Sequence, residues 1–209
     1  MSASTRWTLA AVVLVAALIV GLSAELRHGA QPASSDRGSA EGLRGATAAD
    51  LSGARRRADL PPCPAGPAEG PPALRGVTVE CAADGAAVDA ARVLAGRRVV
   101  LNLWAYWCLP CRAELPAMAE YQRRAGPDVL VVTVHQDENE VAALSLLAQL
   151  GVRLPTLQDA DRRIAAGLRV PNVMPATVVL SADGSVARIL PQAFASAEEI
   201  TAAVGGRDS

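Results

Sequence analysis

From about residue 74 onward the chain switches repeatedly between strand-like and helix-like apolar patterns. Val99-Val100-Leu101-Asn102-Leu103-Trp104-Ala105 and Val129-Leu130-Val131-Val132-Thr133-Val134 are near-continuous apolar runs. Such runs predict strands buried on both faces of a sheet. Between them Arg112 to Arg124 has helical spacing, and Pro116 inside it predicts a kink. Glu140 to Leu150 is an amphipathic pattern closed by Gly151, and Asp161 to Leu168 predicts another helix. Val77 to Glu80 reads as an edge strand, with Ala87 to Val93 following the polar turn Asp84-Gly85, and Leu154 to Leu157 is short and extended. Thr177 to Leu180 and Val186 to Leu190 flank Ala182-Asp183-Gly184-Ser185, a hairpin signal. Ser196, with Glu198 and Glu199 behind it, opens a last helix over Ala197 to Val204. Alternating strands and helices place the domain in the α/β class.

Chemistry enters where the first buried strand meets its helix. Trp107-Cys108-Leu109-Pro110-Cys111 is a Cys-x-x-Cys pair at a strand–turn–helix junction, the setting of a redox dithiol. At a helix N-terminus the unpaired N–H groups and the helix dipole favour negative charge, which lowers a thiol pKa. Cys108 is therefore the expected nucleophile. Cys111, three residues on and on the same helical face, is placed to resolve a mixed disulfide. Pro110 fits the first turn, where its missing N–H costs nothing. A zinc knuckle would need a second ligand pair, but Cys63 and Cys81 are too far apart, and neither His28 nor His135 neighbours another ligand. No metal or cofactor is assigned. A purely structural Cys108–Cys111 bond would constrain little chain.

The N-terminal end carries an address. Trp7 to Ala24 is 18 residues without a charge, preceded by Arg6. As a helix it would span about 27 Å, enough for the hydrocarbon core. Residues 1–26 are read as a signal anchor in the cell membrane, crossing the bilayer once through residues 7–24. Arg6 stays cytoplasmic and the rest of the chain lies outside. A cleaved signal peptide is the rival, although Leu22-Ser23-Ala24 is a poor cleavage site. Residues 27–59, dominated by Ala, Gly, Ser and Arg, read as a flexible tether in which Arg55-Arg56-Arg57 is a solvated basic run. Residues 60–73 form a Pro/Gly-rich extension, and 74–207 the catalytic domain.

Outside the cytoplasm an even cysteine count suggests pairing. With Cys108 and Cys111 assigned to each other, Cys63–Cys81 remains, by elimination among three connectivities. It would close 17 intervening residues and contribute about 3 kcal/mol in the chain-entropy model. A second exchange site feeding Cys108 is the open alternative. The net charge of −1 and the absence of a basic stripe argue against nucleic acid. Three of the few aromatic residues, Trp104, Tyr106 and Trp107, crowd the Cys-x-x-Cys, which suggests a shaped apolar surface there with Trp104 in the core.

The stretch Asn102-Leu103-Trp104-Ala105-Tyr106-Trp107-Cys108-Leu109-Pro110-Cys111-Arg112-Ala113-Glu114-Leu115-Pro116 is close throughout to one active-site signature. In it, and over about residues 74–207, the chain resembles the membrane-anchored, extracytoplasmic thioredoxin-like proteins of the TlpA/ResA/CcmG group, especially the anchored forms of actinobacteria. The resemblance implies a thioredoxin fold, a central mixed sheet flanked by helices. It makes Met174-Pro175-Ala176-Thr177 the segment whose proline is cis and faces the dithiol, so that Met174, Pro175 and Trp107 contact substrate. Val170-Pro171-Asn172-Val173 departs from the family pattern in that loop. Glu114 matches a family glutamate that takes a proton from Cys111; an ordinary first-turn glutamate is the equal alternative. Asn102 stands where thioredoxin itself has a buried aspartate. His135, at the end of a strand, is a surface or satisfied residue, with a copper site built with Cys108 and Cys111 as its rival.

Direction follows from the dipeptide between the cysteines. Leu109-Pro110 offers no charge to stabilise the thiolate, which favours a reductant over a strong oxidant. The resemblance implies a protein that keeps the thiols of apocytochrome c or other exported proteins reduced; such a reductase needs a donor, expected to be a membrane electron carrier, and the chain is read as a monomer. An oxidase or isomerase of the same fold is the alternative, and a copper-binding thiol chaperone the more distant one.

Overall fold

The structure is a computed structural model that describes residues 47–66 and 69–205. The described elements are α1 (Ala48–Ala58), a 3-10 turn (Pro72–Leu74), β1 (Thr78–Cys81), β2 (Ala87–Asp89), α2 (Ala90–Val93), β3 (Arg98–Trp104) and α3 (Leu109–Ala125). They continue with β4 (Val129–His135), α4 (Glu140–Leu150), β5 (Thr156–Gln158), α5 (Arg163–Gly167), β6 (Ala176–Leu180), β7 (Val186–Leu190) and α6 (Ala197–Val204).

The strands form one mixed sheet in the order β2-β1-β5-β4-β3-β6-β7. β3 and β4 are parallel in register from Arg98↔Val129 to Trp104↔His135, and β6 runs antiparallel on the other side of β3. Alternation along β3 divides the core. Val99, Leu101 and Leu103 join Leu74 and the buried residues of α2 and α5, whereas Val100 and Trp104 join those of α1, α3, α4 and α6. Both sheet faces are therefore covered, which is why β3 and β4 are mostly apolar, with Asn102, Thr133 and His135 as buried polar exceptions. The parallel β3, β4 and β5 end on the same side of the sheet, at Trp104, His135 and Gln158.

Most predicted elements are found where their patterns put them. Gly151 ends α4 at φ 64, Ser196 caps α6, and Gly184 turns the β6–β7 hairpin at φ 83. α3 runs through Pro116 as one helix. Two expectations need correction. β1 is not an edge strand: Gly85, at φ 83, folds the chain back and the short β2 takes the edge, leaving β1 between β2 and β5.

The flexible tether expected over 27–59 is helical over its last stretch. Thr47 and Asp50 form a reciprocal capping box that starts α1, and Ala54 and Ala58 are buried where the helix packs against α4. Small residues at i and i+4 allow close approach, and the half-buried Leu51 packs against the same core one turn earlier. Arg55 is likewise no solvated linker charge. It is half-buried and pairs with Glu80 and with Glu140, the latter at 3.1 Å, while Arg56 and Arg57 are exposed. Glu140 in turn is pushed above the usual carboxylate range, mainly by burial and against the pull of Arg55. The ordered unit thus begins well before residue 74. The proposed anchor over 1–26 lies outside the described residues, and among those described no helix is long and apolar enough to cross a membrane.

Candidate redox site

The site begins where β3 ends. Its last residue, Trp104, is buried, and the turn Ala105–Trp107 carries the chain to Cys108, the N-cap of α3. Cys108 and Cys111 are disulfide-bonded at an S–S distance of 2.04 Å, and the Cys111 N–H points at Cys108 Sγ at 3.3 Å. That N–H is one of the orphan donors of a helix N-terminus, and it would stabilise a thiolate at the same place. Cys108 retains 6% of its surface and Cys111 none, so an incoming partner meets Cys108 first.

Glu114 lies one turn beyond Cys111 on the same helical face and is fully buried. Its Oε2 accepts from Asn102 Nδ2 at 2.8 Å and its Oε1 from the Phe194 N–H at 3.1 Å. Burial pushes its carboxyl up to about 7, against the downward pull of these two bonds. Glu114 is thus a buried, hydrogen-bonded carboxyl one turn beyond Cys111. Asn102 answers the question left by the missing aspartate: the ionisable group sits across from it, on α3. Its Oδ1 is buried without a partner, so the amide can turn and accept a proton borne by Glu114.

Met174–Pro175 is a cis peptide. Ala176 pairs with Leu103 in the antiparallel β3–β6 register, so Pro175 and Met174 extend to the sheet end from which the thiol turn departs. Pro175 is buried and Met174 half-buried. Around this end three large apolar side chains remain in water: Trp107 (54% exposed), Leu109 (73%) and Val173 (44%). Trp107 is steadied from behind by its indole N–H, which donates to Asp137 Oδ2 at 2.9 Å.

His135 is fully buried and both its ring nitrogens are engaged inside the protein, with the Tyr106 N–H and with Gln158. The copper reading therefore loses its nitrogen ligand. Gln158, Asp137 and the Phe194 backbone carry no motif in the sequence; only the β4–β5 pairing of His135 with Gln158 and the packing of the loop before α6 bring them to the site. Cys63 and Cys81 are bonded, with Cα atoms 5.9 Å apart. Cys81 lies on β1, separated from β3 by β5 and β4. Three strand spacings are roughly 14 Å, and Cys63 packs on the opposite sheet face from Cys108.

A β–α–β unit followed by an antiparallel hairpin and helix, with a dithiol at the helix start opposite a cis-proline, defines a thioredoxin-like dithiol protein. The chain belongs to the Redoxin family, whose profile matches residues 68–200. It is similar to the thiol-disulfide oxidoreductase ResA of Bacillus subtilis (strain 168), at 32% identity over 98 residues, which are 46% of this chain and 54% of that protein. The chain thus spans about half the length of the ResA proteins it matches. Among solved structures it resembles a secreted Mycobacterium tuberculosis disulfide oxidoreductase homologous to E. coli DsbE, with 29% identity and a TM-score of 0.52 over 61% of this chain and 93% of that one. It also resembles a DsbF homologue from Corynebacterium diphtheriae, with 26% identity and a TM-score of 0.55 over 62% of this chain and 82% of that one.

Proposed function

We propose that this protein is a membrane-anchored, extracytoplasmic protein thiol–disulfide oxidoreductase that works as a reductase. One observation carries the exchange reading. Cys108, at a helix N-terminus, keeps 6% of its surface exposed, with Cys111 fully buried and a carboxyl of raised pKa beyond Cys111. In the reducing cycle the Cys108 thiolate attacks one sulfur of a substrate disulfide, forming a Cys108–substrate bond and releasing the other sulfur as a thiolate. Glu114 takes the proton of Cys111, whose thiolate then attacks Cys108 Sγ. The Cys108–Cys111 bond forms and the second substrate sulfur leaves. Two electrons pass to the substrate, and a dithiol donor must return them.

Trp107, Leu109, Val173 and Met174 give an apolar surface around Cys108 on which an extended protein segment can lie, its backbone beside Met174-Pro175. The uncharged Leu109-Pro110 favours the reducing direction. Similarity to a secreted Mycobacterium tuberculosis disulfide oxidoreductase supports an exported location, and residues 7–24 would supply the anchor. Exported proteins with disulfides, apocytochrome c among them, are the proposed substrates; the enzyme acts as a monomer fed by a membrane electron donor. The Cys63–Cys81 bond is read as a staple, since no sulfur exchanges directly across roughly 14 Å.

Location is checked in cells carrying the full chain, treated with a mild reductant and a membrane-impermeant maleimide. Cys108 labelled in intact cells is the expected result, and labelling only after lysis would place the domain inside.

A further inference from the structure

Two side chains that the exchange chemistry does not use, His135 and Gln158, lie side by side at the ends of β4 and β5. Their hydrogen bonds can run in only one direction. The Tyr106 N–H is a donor only, and it points at His135 Nε2 at 3.4 Å. The Asp137 carbonyl is an acceptor only, and it takes Gln158 Nε2–H. Between these fixed ends Gln158 must turn Oε1 towards His135. His135 must then carry its proton on Nδ1, which donates over 2.8 Å. Asp137 closes the ring, its Oδ2 accepting the Trp107 indole N–H and its Oδ1 the Asn139 N–H, each at 2.9 Å.

The two residues before Cys108 are thereby gripped, Tyr106 by its backbone and Trp107 by its side chain. The imidazole also packs on Trp104, with ring centroids 4.9 Å apart. Burial keeps it neutral by lowering its pKa. A second proton, on Nε2, would set donor against donor at Tyr106.

We propose that His135 and Gln158 are positioning residues, holding the Tyr106-Trp107 turn so that Cys108 Sγ stays aimed outward at the end of α3. The inference rests on the exchange reading above. Misplacing a reacting atom slightly costs large factors in rate, and the Cys108 N–H to Ala105 carbonyl bond of 3.1 Å closes the turn without fixing Tyr106 and Trp107 against β4 and β5.

The test follows the reaction of the fully reduced full chain with glutathione disulfide, together with the Cys108–Cys111 reduction potential. His135→Phe keeps a ring against Trp104 and removes both hydrogen bonds; a rate about tenfold below the unmutated chain is expected. His135→Gln presents an oxygen to the Tyr106 N–H and should recover to within about threefold. Gln158→Leu, at a half-buried position, carries the test if His135→Phe fails to fold, with a loss of similar size. In the unmutated chain the imidazole nitrogen shifts should report the Nδ1–H tautomer. The Nε2–H tautomer, or rates and potentials unchanged in His135→Phe and Gln158→Leu, would overturn the positioning role alone. An unmutated chain inert towards glutathione disulfide would overturn the exchange reading beneath it.

Discussion

Cys111→Ser is expected to convert a turning-over enzyme into a trap. Cys108 still attacks, because its place at the N-cap of α3 and the N–H of residue 111 do not depend on the second sulfur. Resolution is impossible, so the Cys108–substrate bond persists and migrates as a covalent adduct that reductant releases. Cys108→Ser should form no adduct, since Cys111 has no exposed surface from which to attack. In both variants catalysed reduction of a protein disulfide should fall roughly a thousandfold or more, as expected when one member of a unit that acts together is removed. Non-reducing gels and mass mapping of the adduct check this. Adducts through Cys111 in the Cys108→Ser chain would reverse the assigned roles.

Glu114→Gln should separate stability from catalysis. The Glu114 carboxyl is raised from 4.5 to about 7 in the fold, mainly by burial. Between those two values the folded protein holds a proton that the unfolded chain has lost, so stability falls as pH rises through that window. The full difference, present above pH 7, is about 3 kcal/mol of destabilisation. Glutamine cannot ionise. Its amide would meet the orphaned Oδ1 of Asn102 once that side chain turned. The variant should therefore lose less stability than the unmutated chain between pH 5 and pH 8, the slope that remains in both coming from the other shifted groups, Glu140 and His135. Resolution by Cys111 should slow about a hundredfold at pH 8 and lose its rise near pH 7, because the proton acceptor is gone. Stopped-flow decay of the mixed disulfide against pH reads this directly, and a variant with an unchanged profile would remove Glu114 from the chemistry.

The chain's patterns reveal those features whose cause is local. β3 and β4 are legible because both faces are buried and no polar alternation interrupts them, and the hairpin because Asp183-Gly184 supplies the turn. The dithiol is legible because its chemistry needs that spacing at that junction. Helix α1 is hidden because its contact face is Leu51, Ala54 and Ala58, a single large apolar residue among alanines that look like linker composition, and because its start is marked only by the Thr47–Asp50 cap. The place of β1 inside the sheet depends on its pairing with β5, a long-range choice that no local pattern encodes. Glu114 has the composition of an ordinary helix start. Its burial follows from α3 lying over β3 with Phe194 closing the end, a tertiary fact. The ring from His135 through Gln158 to Asp137 likewise exists only because three strands end together.

The reduction potential of the Cys108–Cys111 pair tests the central claim most directly. The full chain is equilibrated in glutathione or dithiothreitol redox buffers, quenched by alkylation and mapped by mass, so that each cysteine pair is read separately. A value at or below about −250 mV is expected for Cys108–Cys111, with Cys63–Cys81 still oxidised where that pair is half reduced. A value above about −180 mV would contradict the reductase and identify a disulfide-forming oxidase or isomerase.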